Sequence, residues 1–199
     1  MRVLGIDPGL SITGFGIVGH EGSNFSLVDA GCLRMTAALP LEQRLLELHS
    51  GLVEVIESAS LEAVAVEALY SNYRHPRTAV QMGHARGVLL LAAAQSHLPV
   101  HSYAPTRVKK SLTGRGRASK AQVQNMIQSI FGLDQPPSPV DVSDALAVAL
   151  CHINTLRLGG TLPGKSTNSL PESLREVMES ASDRRRGSND LIKELLRAE

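Results

Sequence analysis

The sequence predicts an α/β fold in which a mixed five-stranded sheet carries helices on both faces. Three observations predict it. The first part of the chain reads as three consecutive short strands joined by Gly-containing links, the pattern of an antiparallel meander. Further on, apolar residues recur at three- to four-residue steps, as on one face of a helix. These helical segments alternate with two more short apolar runs, and the order βββαβα, then a strand and further helices, suits a mixed sheet covered on both sides.

The elements follow in chain order. Residues 2–7 form a short buried strand that ends in a turn at Pro8-Gly9. Residues 12–18 follow, with Gly14 and Gly16 alternating with bulky neighbours, and residues 25–35 alternate through Phe25, Leu27 and Asp29. Residues 40–57 place Leu41, Leu45, Leu48, Leu52 and Val55 on one helical stripe, with Pro40 fitting the first turn. Residues 63–67 are a buried strand, and residues 77–96 a helix with Gly83 and Gly87 four apart. Those glycines permit close approach of another element, within the chain or across a dimer interface. Residues 99–103 are a strand, residues 105–112 a short helix, and residues 113–117 a flexible basic loop. Ser119 caps a helix whose Val123, Met126, Ile127, Ile130 and Phe131 share a face, and Gly132 stops it. The Pro-rich residues 136–139 form a rigid linker into a last core helix, residues 141–156.

The 199 residues, 43% hydrophobic and 20% charged, suit one folded domain with or without a tail. Trp is absent, so Leu, Val, Ile and Ala must build the core. From Gly159 the composition turns rich in Gly, Ser, Thr and Pro. Two short amphipathic pieces follow, split by Arg184, Arg185 and Arg186. We therefore expect a domain over residues 1–158 and a mobile tail over 159–199. Cys32 and Cys151 sit in apolar surroundings without a CxxC spacing, which suggests buried thiols in a reducing compartment. The start lacks signal-peptide character, and the longest uncharged apolar run, residues 87–96, is too short to span a bilayer. The expectation is a soluble cytoplasmic protein without a membrane partner.

The net charge of +1 hides a segregation. Residues 1–67 carry nine acids and three bases, whereas residues 68–133 carry nine bases and no acid. An acid-free basic stretch is a candidate surface for a polyanion, set against the alternative of a solvated basic face without a partner.

Four carboxylates stand where structure alone has little use for them. Asp7 and Glu67 each end an apolar strand, and Asp141 and Asp144 open an apolar helix, three residues apart on one face. A charge abutting a core is costly unless paired or metal-bound. If the two strands are neighbours and the helix packs over their ends, all four meet. Hard oxygen donors of this kind suit Mg²⁺ or Mn²⁺, and two such ions can hold a phosphodiester. Each residue also has a plainer role. Asp7 can belong to a turn, Glu67 can pair with Arg74, and Asp141 can be an N-cap with Asp144 a favourable first-turn acid.

Four segments together resemble the RuvC family of Holliday junction resolvases, over roughly residues 2–157. They are Gly5-Ile6-Asp7-Pro8-Gly9, Val66-Glu67-Ala68-Leu69-Tyr70, Gly83-His84-Ala85-Arg86-Gly87 and the helix from Asp141 to Ala147. The resemblance implies an RNase H-like fold and a homodimeric, structure-specific endonuclease that nicks four-way junction DNA symmetrically. It implies Asp7, Glu67, Asp141 and Asp144 as the catalytic metal-binding set, with two Mg²⁺ or Mn²⁺ ions. Lys109 and Lys120 would act near the cleaved strand, and a branch-migration motor would be a partner. Tyr70 stands where the family often carries Phe, so it is a candidate base wedge, with core packing as the alternative. Tyr73, Arg74 and Arg77 would line the same loop, and Arg107, Lys110, Arg115 and Arg117 are further candidate DNA contacts.

Three rivals are weighed against this. An actin-like ATPase or kinase also places an Asp-then-Gly turn after its first strand, but needs two lobes and a second phosphate loop that the sequence does not offer. A junction-binding protein with a degraded site is disfavoured by the complete carboxylate set. A related nuclease acting on RNA or another branched substrate would share the fold.

Overall fold

Alternation along the strands sorts the side chains into two cores. The computed structural model describes residues 1–69 and 76–159, for residues 76 and 77 the backbone alone. All of them lie within the compact unit Met1–Ser166. Five strands appear: β1 (Arg2–Asp7), β2 (Ile12–Glu21), β3 (Asn24–Arg34), β4 (Ala63–Glu67) and β5 (Val100–Tyr103). The helices are α1 (Leu41–Glu57), α2 (Pro76–Gln95), α3 (Pro105–Thr113), α4 (Lys120–Phe131) and α5 (Val140–Arg157). The sheet order is β3-β2-β1-β4-β5, antiparallel from β3 to β1 and parallel from β1 to β5. This is the mixed sheet the sequence predicts.

Leu4 and Ile6 of β1 and Val64 and Val66 of β4 face α1 and α2, where Leu48, Leu52, Ala85 and Leu89 meet them. Val3 and Ala65 face the other way, toward α3, α4 and α5. Leu48, Leu52 and Leu89 are fully buried, and each such side chain stabilises the fold by about 1.5–3 kcal/mol. Helix α5 is the central element of the second layer, buried on every side from Ala145 to Ile153. It settles directly on the sheet because the strands beneath it carry glycine. A β-carbon at Gly5 would collide with the Ala145 carbonyl, and one at Gly16 with the Leu146 side chain.

Element ends follow the expected chemistry with small shifts. Ser119 caps α4 in a reciprocal box with Gln122, and Gly132 ends the helix in the left-handed conformation (φ 62°). Strand β2 runs on to Glu21, beyond the predicted residue 18, because a turn with Gly22 at φ 59° lets it pair fully with β3. Pro40 is the N-cap of α1 rather than its first residue. The N-cap of α5 is Pro139 without a side-chain cap bond, so Asp141 is not a cap. Gly83 and Gly87 have nothing within 4 Å of an added β-carbon, so they do not serve packing within the described chain. Helix α2 instead packs inward through Ala85, Leu89, Ala92 and Ala93. Cys151 is fully buried as expected, whereas Cys32 is only half-buried on edge strand β3, and both are free thiols. No helix among the described residues is long and apolar enough to cross a membrane.

Candidate active site

Parallel pairing of β1 and β4 puts Ile6 opposite Val66. Asp7 and Glu67, one residue further on, therefore end neighbouring strands on the face covered by α5. The two carboxyl groups are hydrogen-bonded to each other. Asp7 also pairs with Gly14 of β2, and Gly14 lies beneath the Asp141 backbone, too close for a β-carbon. Asp144, one turn on, shares the Asp141 face of α5. The four acids thus lie toward one end of the sheet, where Glu67, Asp144 and Asp141 all act electrostatically on Asp7.

The turn after Asp7 is held firmly. The buried Thr13 hydroxyl donates to the Gly9 carbonyl at 2.6 Å and accepts from the Gly9 N–H at 3.1 Å. From α1, Arg44 Nη2 donates to the Leu10 carbonyl at 2.8 Å and contacts Ser11 Oγ at 3.4 Å. Two unrelated elements therefore fix the loop that aims Asp7.

The cluster is electrostatically unfavourable by itself. Burial, then the charges of Glu67, Asp144 and Asp141, pushes the Asp7 carboxyl from 3.8 up to about 8. Burial also raises Glu67, opposed by the hydrogen bond from Asp7 and by the nearby ammonium groups of Lys120 and Lys109. Burial and carboxylate crowding thus both work against full ionisation of Asp7 and Glu67. Lys120 Nζ lies 3.1 Å from Asp144 Oδ2. Burial disfavours the Lys120 charge, but Asp144, Asp7 and Asp141 outweigh it and raise its pKa.

The donor chemistry, four carboxylates short of positive charge, fits a hard divalent cation. Among the described residues no three acidic, imidazole or thiol groups are already disposed as a metal shell.

Both predicted lysines border the cluster, Lys109 from α3 beside Glu67 and Lys120 from the first turn of α4 beside Asp144. Lys110, Arg115 and Arg117 are exposed along α3 and the following loop, with no ion pair among the described residues. Arg107 turns its guanidinium over the Tyr103 ring, 5.4 Å from its centroid, and reaches Thr155 at 3.4 Å, so it braces α3 against α5. Arg77 lies in α2. Tyr70, Tyr73 and Arg74, with the tail 160–199, lie outside the described residues.

Sequence reasoning missed one buried polar knot. The Tyr103 hydroxyl and His152 Nδ1 are 2.7 Å apart, and His101 stacks on His152 at 4.6 Å between centroids. Tyr103 pairs across the sheet with Glu67, so the knot ties the Glu67 strand pair to α5. A histidine in the apolar run of α5 was the available signal.

Comparison with known proteins shows what the chain as a whole is similar to. The family model described as crossover junction endodeoxyribonuclease RuvC matches residues 3–152. A protein of that name from Pelotomaculum thermopropionicum is 49% identical over 152 residues, covering 76% of this chain and 92% of its own. The Thermus thermophilus RuvC structure superposes with a TM-score of 0.76 at 36% identity, covering 82% of this chain and 100% of that one. T. thermophilus RuvC in complex with Holliday junction substrate gives 0.75 at 34% identity over the same shares.

Proposed function

The chain belongs to the RuvC family of crossover junction endodeoxyribonucleases, and from that premise we propose how its own residues resolve a Holliday junction. This membership also removes the actin-like kinase reading. Residues 1–158 act as the nuclease domain. Asp7, Glu67, Asp141 and Asp144 hold two divalent ions, Mg²⁺ or Mn²⁺. When bound, such ions acidify the attacking water and offset the charge that develops on the leaving 3′-oxygen.

The protein residues divide the remaining work. Asp7, on its braced turn, and Asp141, seated over Gly14, contribute carboxylates whose positions are fixed before substrate arrives. Lys109 and Lys120 meet the cleaved strand and neutralise charge on its phosphate. The exposed Lys110, Arg115 and Arg117 track the DNA backbone, where phosphate contacts supply affinity and register without reading sequence. Tyr70 is the candidate wedge at the junction centre, and Tyr73, Arg74 and Arg77 are further candidate DNA contacts.

Two nicks in a near-two-fold substrate call for two sites related by a two-fold axis. The outer face of α2 supports a homodimer: Gly83 and Gly87 are open, and Val80 and Leu91 there are 59% and 52% exposed. A branch-migration motor is the further partner class, on family likeness alone.

The observation that carries the reading is the meeting of four carboxylates with the acid-free basic segment, through Lys109 and Lys120. A synthetic four-way junction incubated with and without Mg²⁺ tests it. Paired nicks at symmetric positions, only with the metal, are expected. Nicking of linear duplex at the same rate, or none on any branched DNA, would overturn it.

A further inference from the structure

We propose that Lys120 is a built-in counter-ion that occupies Asp144 in the metal-free protein and must let go of it before a divalent cation is seated. The proposal rests on the reading of the four carboxylates as the metal site, and goes beyond it in giving Lys120 a role opposed to metal binding.

Three observations lead there. The ammonium lies 3.1 Å from Asp144 Oδ2, one of the carboxylates a metal would need. It also acts electrostatically on Glu67 and is acted on by Asp7 and Asp141, so it serves the whole cluster rather than one partner. Among the described residues, no three donors are disposed as a shell in this arrangement.

The lysine is built to leave. Its base is fixed, as the first residue of α4 behind the Ser119–Gln122 capping box. Its side chain is 69% exposed, whereas that of Asp144 is 20% exposed. A long stem on a rigid base can swing from carboxylate to solvent or phosphate without moving the backbone. An exposed ion pair is weak, so a divalent charge in the same acidic pocket displaces it readily. Until then the ammonium offsets the mutual repulsion of the carboxylates.

This predicts opposite signs for two measurements on one variant. Lys120→Gln should bind Mn²⁺ more tightly, because nothing competes for Asp144, yet cleave junctions more slowly. Calorimetric or electron paramagnetic resonance titration of junction-free protein with Mn²⁺ alone reads the first quantity. Affinity should rise about two- to fivefold, the weight of one partly exposed ion pair, in both Lys120→Gln and Lys120→Ala. Lys120→Arg, which keeps the charge, should stay near wild type.

The exposed side chain makes loss of folding in these variants a minor concern, and an unchanged unfolding temperature checks it. Equal or weaker Mn²⁺ binding by both neutral variants would overturn the proposal while leaving the metal site standing. Failure of the wild type to bind Mn²⁺, or undiminished binding by Asp7→Asn, would instead overturn the metal-site reading and this proposal with it.

Discussion

The backbone of Asp141 rests on Gly14, at a distance that leaves no room for a β-carbon between strand β2 and helix α5. Gly14 is also the residue paired with Asp7. One missing side chain thus sets the separation of two of the carboxylates proposed to hold metal. Gly14→Ala should push the start of α5 off the sheet, because the obstruction is backbone rather than a movable side chain. We expect a stability loss of about 1–3 kcal/mol, seen in thermal unfolding, and cleavage reduced by far more than junction affinity. Cleavage at the wild-type rate would show that α5 can shift without disturbing the site.

Asp7→Asn should abolish cleavage, spare junction binding and stabilise the metal-free protein. An aspartate with a folded pKa of about 8, against 3.8 ordinarily, keeps its proton after the unfolded chain has lost it. Metal-free stability therefore falls as pH rises from about 4 to about 8. Asparagine removes that slope. Unfolding temperatures of the two proteins, measured without metal across this pH range, should diverge upward with pH. Parallel curves would mean that Asp7 is not held protonated.

The sheet, the helices and the four acids were all legible in the sequence because each depends on local pattern. β1 and β4 are apolar runs ended by an acid, and Ser119 and Gly132 are helix punctuation with a short-range cause. What stayed hidden was long-range pairing. Tyr103 and His152 are 49 positions apart, Arg44 and Leu10 are 34 apart, and Lys120 and Asp144 are 24 apart. No periodicity encodes such contacts. Arg107 illustrates the same limit: by sequence it is one more base in a basic stretch, and only the fold lays its guanidinium over Tyr103.

The Tyr103–His152 knot sets a second pH dependence with the opposite sign. Burial, then the proximity of His101, lowers His152 from 6.5 to about 4. Between those values the unfolded chain binds a proton that the folded protein refuses. Stability from this group is complete above pH 6.5 and is lost as pH falls toward 4, by up to about 3 kcal/mol. Tyr103→Phe should cost about 1–3 kcal/mol at pH 7 by leaving the imidazole without its partner. Replacing His152 by leucine in that background should remove the acid dependence. Denaturant melts of the single and double variants at pH 7 and pH 5 separate the terms, and an unchanged acid loss in the double variant would exclude His152 as its source.

Arg115 and Arg117 are exposed and without ion pairs among the described residues, so their charge is available to DNA. Junction binding should weaken steeply with salt. Replacing either arginine by alanine should lower the slope of log affinity against log salt by roughly 1. Bound junction should still be cleaved at near the normal rate. Lys109→Ala should behave oppositely, slowing cleavage more than it weakens binding. A salt response that is flat, or equal in all three variants, would discredit the division between backbone tracking and chemistry.

The dimer prediction turns on Gly83, where an added side chain meets nothing within 4 Å of its β-carbon. Arginine at that position should therefore leave the fold of each subunit intact. If α2 faces α2 of a second copy, the same side chain must be driven into the interface, beside the exposed Val80 and Leu91. Sedimentation of Gly83→Arg should then show monomers where the wild type shows dimers. Junction cleavage should change in kind as well as rate, since one subunit supplies one site: paired nicks should give way to slow single nicks. A variant that stays dimeric, with paired nicking intact, would move the two-fold axis to another face.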